Sequence, residues 1–92
     1  MSSGRELVYQ KINGERDYQD SISGSMIHKG KPTIAAEIMM LEHYLLEARN
    51  KWVTSYGNNE PSLDIIRKIA GISVRCLENH GCPSRCVTKT SE

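Results

Sequence analysis

The chain reads as an all-α protein of three helices, over about residues 5–22, 34–56 and 61–80, with the second and third forming an antiparallel hairpin completed by oligomerisation. Three observations predict this class. Apolar residues recur every three or four positions along each stretch. Glycine, asparagine and proline cluster between the stretches, where a helix must stop and restart. And the run 63–86, LDIIRKIAGISVRCLENHGCPSRC, is strongly amphipathic with a clear start and stop.

The first helix places Leu7, Val8, Ile12, Tyr18 and Ile22 on one side, behind a short flexible lead at 1–4. Gly14 weakens it by about 1 kcal/mol relative to alanine. Its second half, ERDYQD, is dense in hydrogen-bonding groups and has two readings. One is a solvated face, with an Arg16–Asp20 pair at helical spacing worth a few tenths of a kcal/mol. The other is a polar pocket to which Arg16, Tyr18 and Gln19 contribute. The segment SISGSMIHKGKP follows, a loop by its Gly, Ser and Pro content. His28, Lys29 and Lys31 lie there beside Gly24 and Gly30. A basic loop next to a helix start can close over an anion, phosphate above all, or serve as a connector. The glycines and the Lys-Ser/Thr ending of a Walker-type loop are missing.

Thr33 suits the N-cap of the second helix. Ile34, Ile38, Leu41, Leu45, Ala48, Trp52 and Tyr56 line one face of it, and Ala35, Met39, Leu46 and Val53 form a second strip. One strip suits packing within the chain; the other suits a partner subunit. Gly57-Asn58-Asn59 makes the return.

The third helix begins with Asn59 as cap, Pro61 in the first turn and Asp64 near the positive end of the dipole. His80 in the last turn, Gly81 just beyond and Pro83 end it. Its apolar arc covers roughly 200°, about twice what one core contact needs. Such a helix packs on two sides. Arg67, Gly71 and Arg75 share its polar side, where a glycine between two arginines leaves a dent suited to a phosphate or nucleotide. The competing reading pairs Arg67 with Asp64 and Arg75 with Glu78. Cys76, His80, Cys82 and Cys86 fall in a C-x3-H-x-C-x3-C array, a zinc candidate, though this spacing is off the common C-x2-C frameworks. The favoured reading is a buried thiol and a helix-terminal imidazole without metal or other cofactor. The tail from about 84 to 92 reads as loose.

Composition bounds the rest. Ninety-two residues make one small domain. With 38% apolar residues, one Trp, four Tyr and no Phe, a monomer has a thin core, so association is expected. A net charge of +1 with interleaved signs argues against non-specific duplex DNA or membrane binding. No apolar run approaches the roughly 18 residues of a membrane span. The opening residues lack a signal-peptide core, so a cytoplasmic location is expected. Glu37, Glu42 and Glu47, five apart, scatter around their helix, and no paired carboxylates or serine–histidine–acid set can be assigned. Catalysis is therefore not expected.

The combination of ERDYQD, a loop with histidine, EHYLLEARNKW and RKIAG-x-x-VRC-x-E-x-HG-x-P-x-R, spanning about residues 9–86, resembles a family of small, mostly uncharacterised proteins of tailed bacteriophages. More distantly the layout is similar to the all-α MazG-like nucleoside triphosphate pyrophosphohydrolases, whose E-x-x-E and E-x-x-D motifs do not appear here. The resemblance implies a phage accessory protein outside the virion. In size, helicity and need to oligomerise the chain also looks like phage sponges that sequester the cyclic nucleotides of bacterial immunity. The expected function is thus anti-defence: binding a small anionic nucleotide through Arg16, Tyr18, Gln19, His28, Lys29, Lys31, Arg67 and Arg75, without cleaving it. The alternatives are an inhibitor or adaptor of a host protein, then a pyrophosphohydrolase.

Overall fold

The computed structural model describes residues 3–23 and 31–85. Among them the chain forms three helices and no strand: α1 (Gly4–Ser23), α2 (Ile34–Thr54) and α3 (Glu60–His80). α3 is the central element. α1 and α2 each pack against it, and among the described residues they make no close backbone approach to each other.

Local chemistry sets the ends. At α1, Ser3 Oγ accepts from the Glu6 N–H at 3.1 Å and Glu6 Oε1 accepts from the Ser3 N–H at 2.9 Å, a reciprocal capping box. The helix therefore includes Gly4, which its sequence context places in a flexible lead. At α2, Thr33 Oγ1 accepts from the Ala36 N–H at 3.1 Å, as expected. α2 stops at Thr54 because Tyr56 and Gly57 turn to φ of 53° and 91°. Asn59 makes no side-chain cap on α3; the neighbouring Asn58 Oδ1 instead accepts from the Glu60 N–H at 3.1 Å. At the far end Gly81 takes φ 110°, open to glycine, and its N–H reaches the Leu77 carbonyl at 2.8 Å.

Contacts between α2 and α3 pair Glu37 with Arg75, Tyr44 with Lys68, and Ala48 with Ser62, whose Oγ donates to the Ala48 carbonyl at 3.0 Å. The face of α2 turned to α3 is thus Glu37, Leu41, Tyr44 and Ala48. This corrects the assignment of helix faces. Of the predicted inner strip only Leu41 and Ala48 turn inward, while Ile34, Ile38, Leu45, Trp52 and Tyr56 stay exposed. The second strip, Met39, Leu46 and Val53, is exposed as well. Glu37, bonded to Arg75, takes the inward position, so a carboxylate and not an isoleucine faces α3.

α1 shows the same inversion. Leu7, Val8, Tyr18 and Ile22 are exposed, whereas Glu15, Arg16 and Gln19 are buried against α3. Of the ERDYQD segment only Asp17, Tyr18 and Asp20 face outward, so the solvated-face reading holds for half of it. Gly71 explains the approach. An added Cβ there would lie 2.7 Å from Glu15 Cγ and 2.9 Å from Gln19 Nε2, so α1 can cross α3 only where no side chain intervenes. Buried apolar side chains among the described residues are just Ala48, Ile65 and Ile72, so hydrogen-bonded ions take the place of a larger apolar core. No described helix is long and apolar enough to cross a membrane.

Candidate functional site

Three arginines organise the polar interior, each held by carboxylates. Arg75 grips the fully buried Glu37 with both Nε, at 3.0 Å, and Nη2. Arg67 Nε donates to Glu15 Oε1 at 3.1 Å, and its Nη2 meets Asp64 Oδ1 at 2.6 Å. Arg16 donates from Nε and Nη2 to Glu78 Oε1 at 3.2 and 2.9 Å, and from Nη2 to Asp20 Oδ1 at 2.9 Å. The expected pairs Arg16–Asp20 and Arg67–Asp64 are present. The expected Arg75–Glu78 pair is not: Glu78 serves Arg16 from across the α1–α3 contact, and Arg75 turns to α2.

The electrostatics follow from these partners. For Arg67 the hydrogen bond it donates to Glu15 outweighs burial and raises the pKa above its ordinary value. For Arg16 burial pulls the pKa down, but Glu78 and Asp20 together more than offset it, and the net shift is again upward. Their pH-dependent contribution to stability is complete below the unfolded-state value and is lost only as pH rises through the still higher folded one. Both stay charged across the physiological range. Gln19 Nε2 completes the network, donating to Glu15 Oε2 at 2.8 Å and to the Lys68 carbonyl at 3.2 Å.

Against this frame lie two recesses that share Glu15, Tyr18 and Lys68. The smaller, about 250 Å³, sits between α1 and α2 over α3, with walls from Tyr18, Gln19 and Ile22, from Met40 and Tyr44, and from Lys68, Ile72 and Arg75. The larger, about 610 Å³, runs along the α1–α3 seam past Gln10, Lys11, Asp64 and Arg67. Tyr18 stands between them with 59% of its surface exposed. Of the expected site residues, Tyr18, Gln19 and Arg75 therefore line the smaller recess, and Tyr18 and Arg67 the larger. Arg16 lines neither recess and faces the Glu78 end of α3. Lys31 is exposed, its Nζ 3.5 Å from the Asn79 carbonyl. His28 and Lys29 lie outside the described residues.

Sequence reasoning missed Tyr44 and Lys68 as cleft walls and Glu15 and Glu37 as arginine partners. The signal for Glu37 was available: Glu37, Leu41, Tyr44 and Ala48 fall on one helical line. Lys68 carried no such signal, because its place depends on where α2 lies.

Two larger recesses, about 690 and 730 Å³, have mainly apolar walls. The first adjoins the seam recess, sharing Lys11, Asp64 and Arg67 with it, and adds Val8, Ile12, Leu63 and Ile66; the second is lined by Leu45, Leu46, Trp52 and Ile66 together with Glu42 and Arg49. The second recess, with Leu45, Leu46 and Trp52, suits a protein surface.

The zinc candidate divides. Cys76 is half-buried, Cys82 is exposed, and Cys86 lies outside the described residues. His80 Nε2 bonds the Pro32 carbonyl at 2.9 Å, tying the end of α3 to the start of α2. Among the described residues no three His, Cys, Asp or Glu side chains gather as metal ligands. No protein-family model, curated protein or solved structure matches the chain.

Proposed function

We propose that this chain is a phage-type accessory protein that binds a small anionic nucleotide, a cyclic-nucleotide immune signal among the candidates, and sequesters it uncleaved in the bacterial cytoplasm. The observation that supports this most is Tyr18. Its ring is exposed on the ridge between two recesses, with Lys11, Lys68, Arg67 and Arg75 around it on helices. An aromatic ring beside two recesses, with cations on a rigid frame, suits a nucleotide: the ring packs against its base or sugar and the cations draw its phosphates. The carboxylates nearest the ridge, Glu15 and Asp64, are hydrogen-bonded to Arg67, which favours holding a ligand over cleaving it.

The reading includes an antiparallel α2–α3 hairpin and a homo-oligomer. Contacts 37 with 75, 44 with 68 and 48 with 62 rise along one helix as they fall along the other, which supports the hairpin. Leu45, Leu46, Trp52, Val53, Leu63 and Ile66 are each half exposed or more. Apolar surface on this scale is uncommon on a monomer and supports a second copy across α2 and α3. The same surface favours a host-protein partner as the second reading.

The test is calorimetry with a panel of cyclic and linear nucleotides, with chromatography of the recovered ligand. Tyr18→Ala is the informative variant, because an exposed ring is removed without touching the ion-pair frame. Binding by wild type, its loss in Tyr18→Ala at unchanged melting, and intact ligand on recovery are expected. Silence across the panel shifts the reading to a protein partner, and conversion of a triphosphate to a monophosphate restores the pyrophosphohydrolase.

A further inference from the structure

The nucleotide reading leaves open which cation meets the phosphate, since Arg16, Arg67 and Arg75 are each bonded to carboxylates. Lys68 differs. Its amine lies 5.0 Å from the centroid of the Tyr44 ring, and none of the ion pairs among the described residues involves it. Its backbone is fixed, because its carbonyl accepts from Gln19 Nε2 at 3.2 Å. A cation resting on an aromatic face at a partly open site is held less strongly than one bonded to phosphate, and four methylenes allow it to swing.

We propose that the cleft between α1 and α2 takes the base of a phosphorylated nucleoside, stacked on Tyr44, while Lys68 turns from that ring to the phosphate. This rests on the nucleotide-binding reading and assigns its ligand contacts. Size supports the division. A cleft of about 250 Å³ is below the range of pockets that enclose a drug-sized molecule, so it admits a ring system and not a whole nucleotide. Met40 and Ile72 supply an apolar, polarisable floor for that ring. The sugar and phosphate then pass over the Tyr18–Lys68 ridge into the larger polar recess, where Lys11 adds a second cation and Arg67 its field. Arg67 and Arg75 are positioning residues: they hold Glu15 and Glu37, and through them the cleft walls.

The experiment is calorimetry of the full chain with a cyclic dinucleotide, a nucleoside triphosphate, pyrophosphate and an unphosphorylated nucleoside, comparing wild type with Lys68→Gln, Lys68→Arg and Tyr44→Leu. Melting curves report folding. For whichever phosphorylated nucleoside binds, Lys68→Gln is expected to weaken binding about tenfold and Lys68→Arg to retain most of it. Loss of the stacking ring in Tyr44→Leu is expected to cost about tenfold. Pyrophosphate alone should bind far more weakly than the nucleotide. Wild-type affinity in either Lys68→Gln or Tyr44→Leu overturns this cleft while leaving nucleotide binding intact. No binding of any nucleotide by wild type overturns both. Should Tyr44→Leu fail to fold, the ring-proton shifts of Tyr44 on titrating wild type decide, and unmoved signals overturn the proposal.

Discussion

Replacing Gly71 by alanine sets two effects of opposite sign against each other at the α1–α3 crossing. In a helix interior alanine is favoured over glycine by about 1 kcal/mol. The new Cβ, however, would lie 2.7 Å from Glu15 Cγ, with the Gln19 amide at 2.9 and 3.1 Å. Carbon atoms prefer about 3.5–4.0 Å, so something must move. Glu15 Cγ is not the free end of a chain: its carboxylate holds Arg67 and Gln19. Overpacking of this kind costs about 1–3 kcal/mol, and release of a charged hydrogen bond adds to it. The net expectation for Gly71→Ala is a loss of about 1–2 kcal/mol, a fall of roughly 4–16 °C in Tm for a domain of this size. Gly14→Ala is the internal control. It lies mid-α1 with nothing within 4 Å of an added Cβ, so it should gain up to about 1 kcal/mol and melt several degrees higher. Both are read by thermal unfolding under far-UV circular dichroism at one protein concentration, because association would shift Tm. A Gly71→Ala protein that melts as high as Gly14→Ala refutes the close crossing.

Two further predictions follow from the buried ions and the open apolar face. Arg75→Ala strands the Glu37 carboxylate, which is 0% exposed, and should cost about 3–5 kcal/mol in urea unfolding; the double replacement Glu37→Leu with Arg75→Met should recover most of it, and a single variant within about 1 kcal/mol of wild type refutes the buried pair. Light scattering at micromolar concentration should give a mass above the 10.4 kDa of one chain, falling toward it in Leu46→Glu with Val53→Glu; a wild-type mass of one chain refutes association.

The three helices were legible because their determinants are local. Thr33, Pro61 and Gly81 act within a turn of where they stand, and the observed bounds Ile34–Thr54 and Glu60–His80 lie within two residues of the expected ones. Ser3 with Glu6, a capping box three residues apart, is a further local signal. Of the residues that residue type proposed for a site, Tyr18, Gln19 and Arg75 line one recess, Tyr18 and Arg67 the other, and Arg16 neither.

Which way each helix faces was not legible. An isoleucine at helical spacing reads as interior, yet Ile34 and Ile38 are exposed while Glu37 between them is wholly buried. Hydrophobic periodicity weighs each residue alone, whereas burial of a carboxylate depends on an arginine 38 positions away arriving at hydrogen-bond distance. The same holds for Glu15, Gln19 and Gly71, where a missing side chain on α3 admits polar side chains of α1. Sequence alone therefore determined the three helices and most of their ends. Tertiary structure decided which arginine meets which acid and that Lys68 lies over Tyr44, because those choices rest on pair distances that no single position carries.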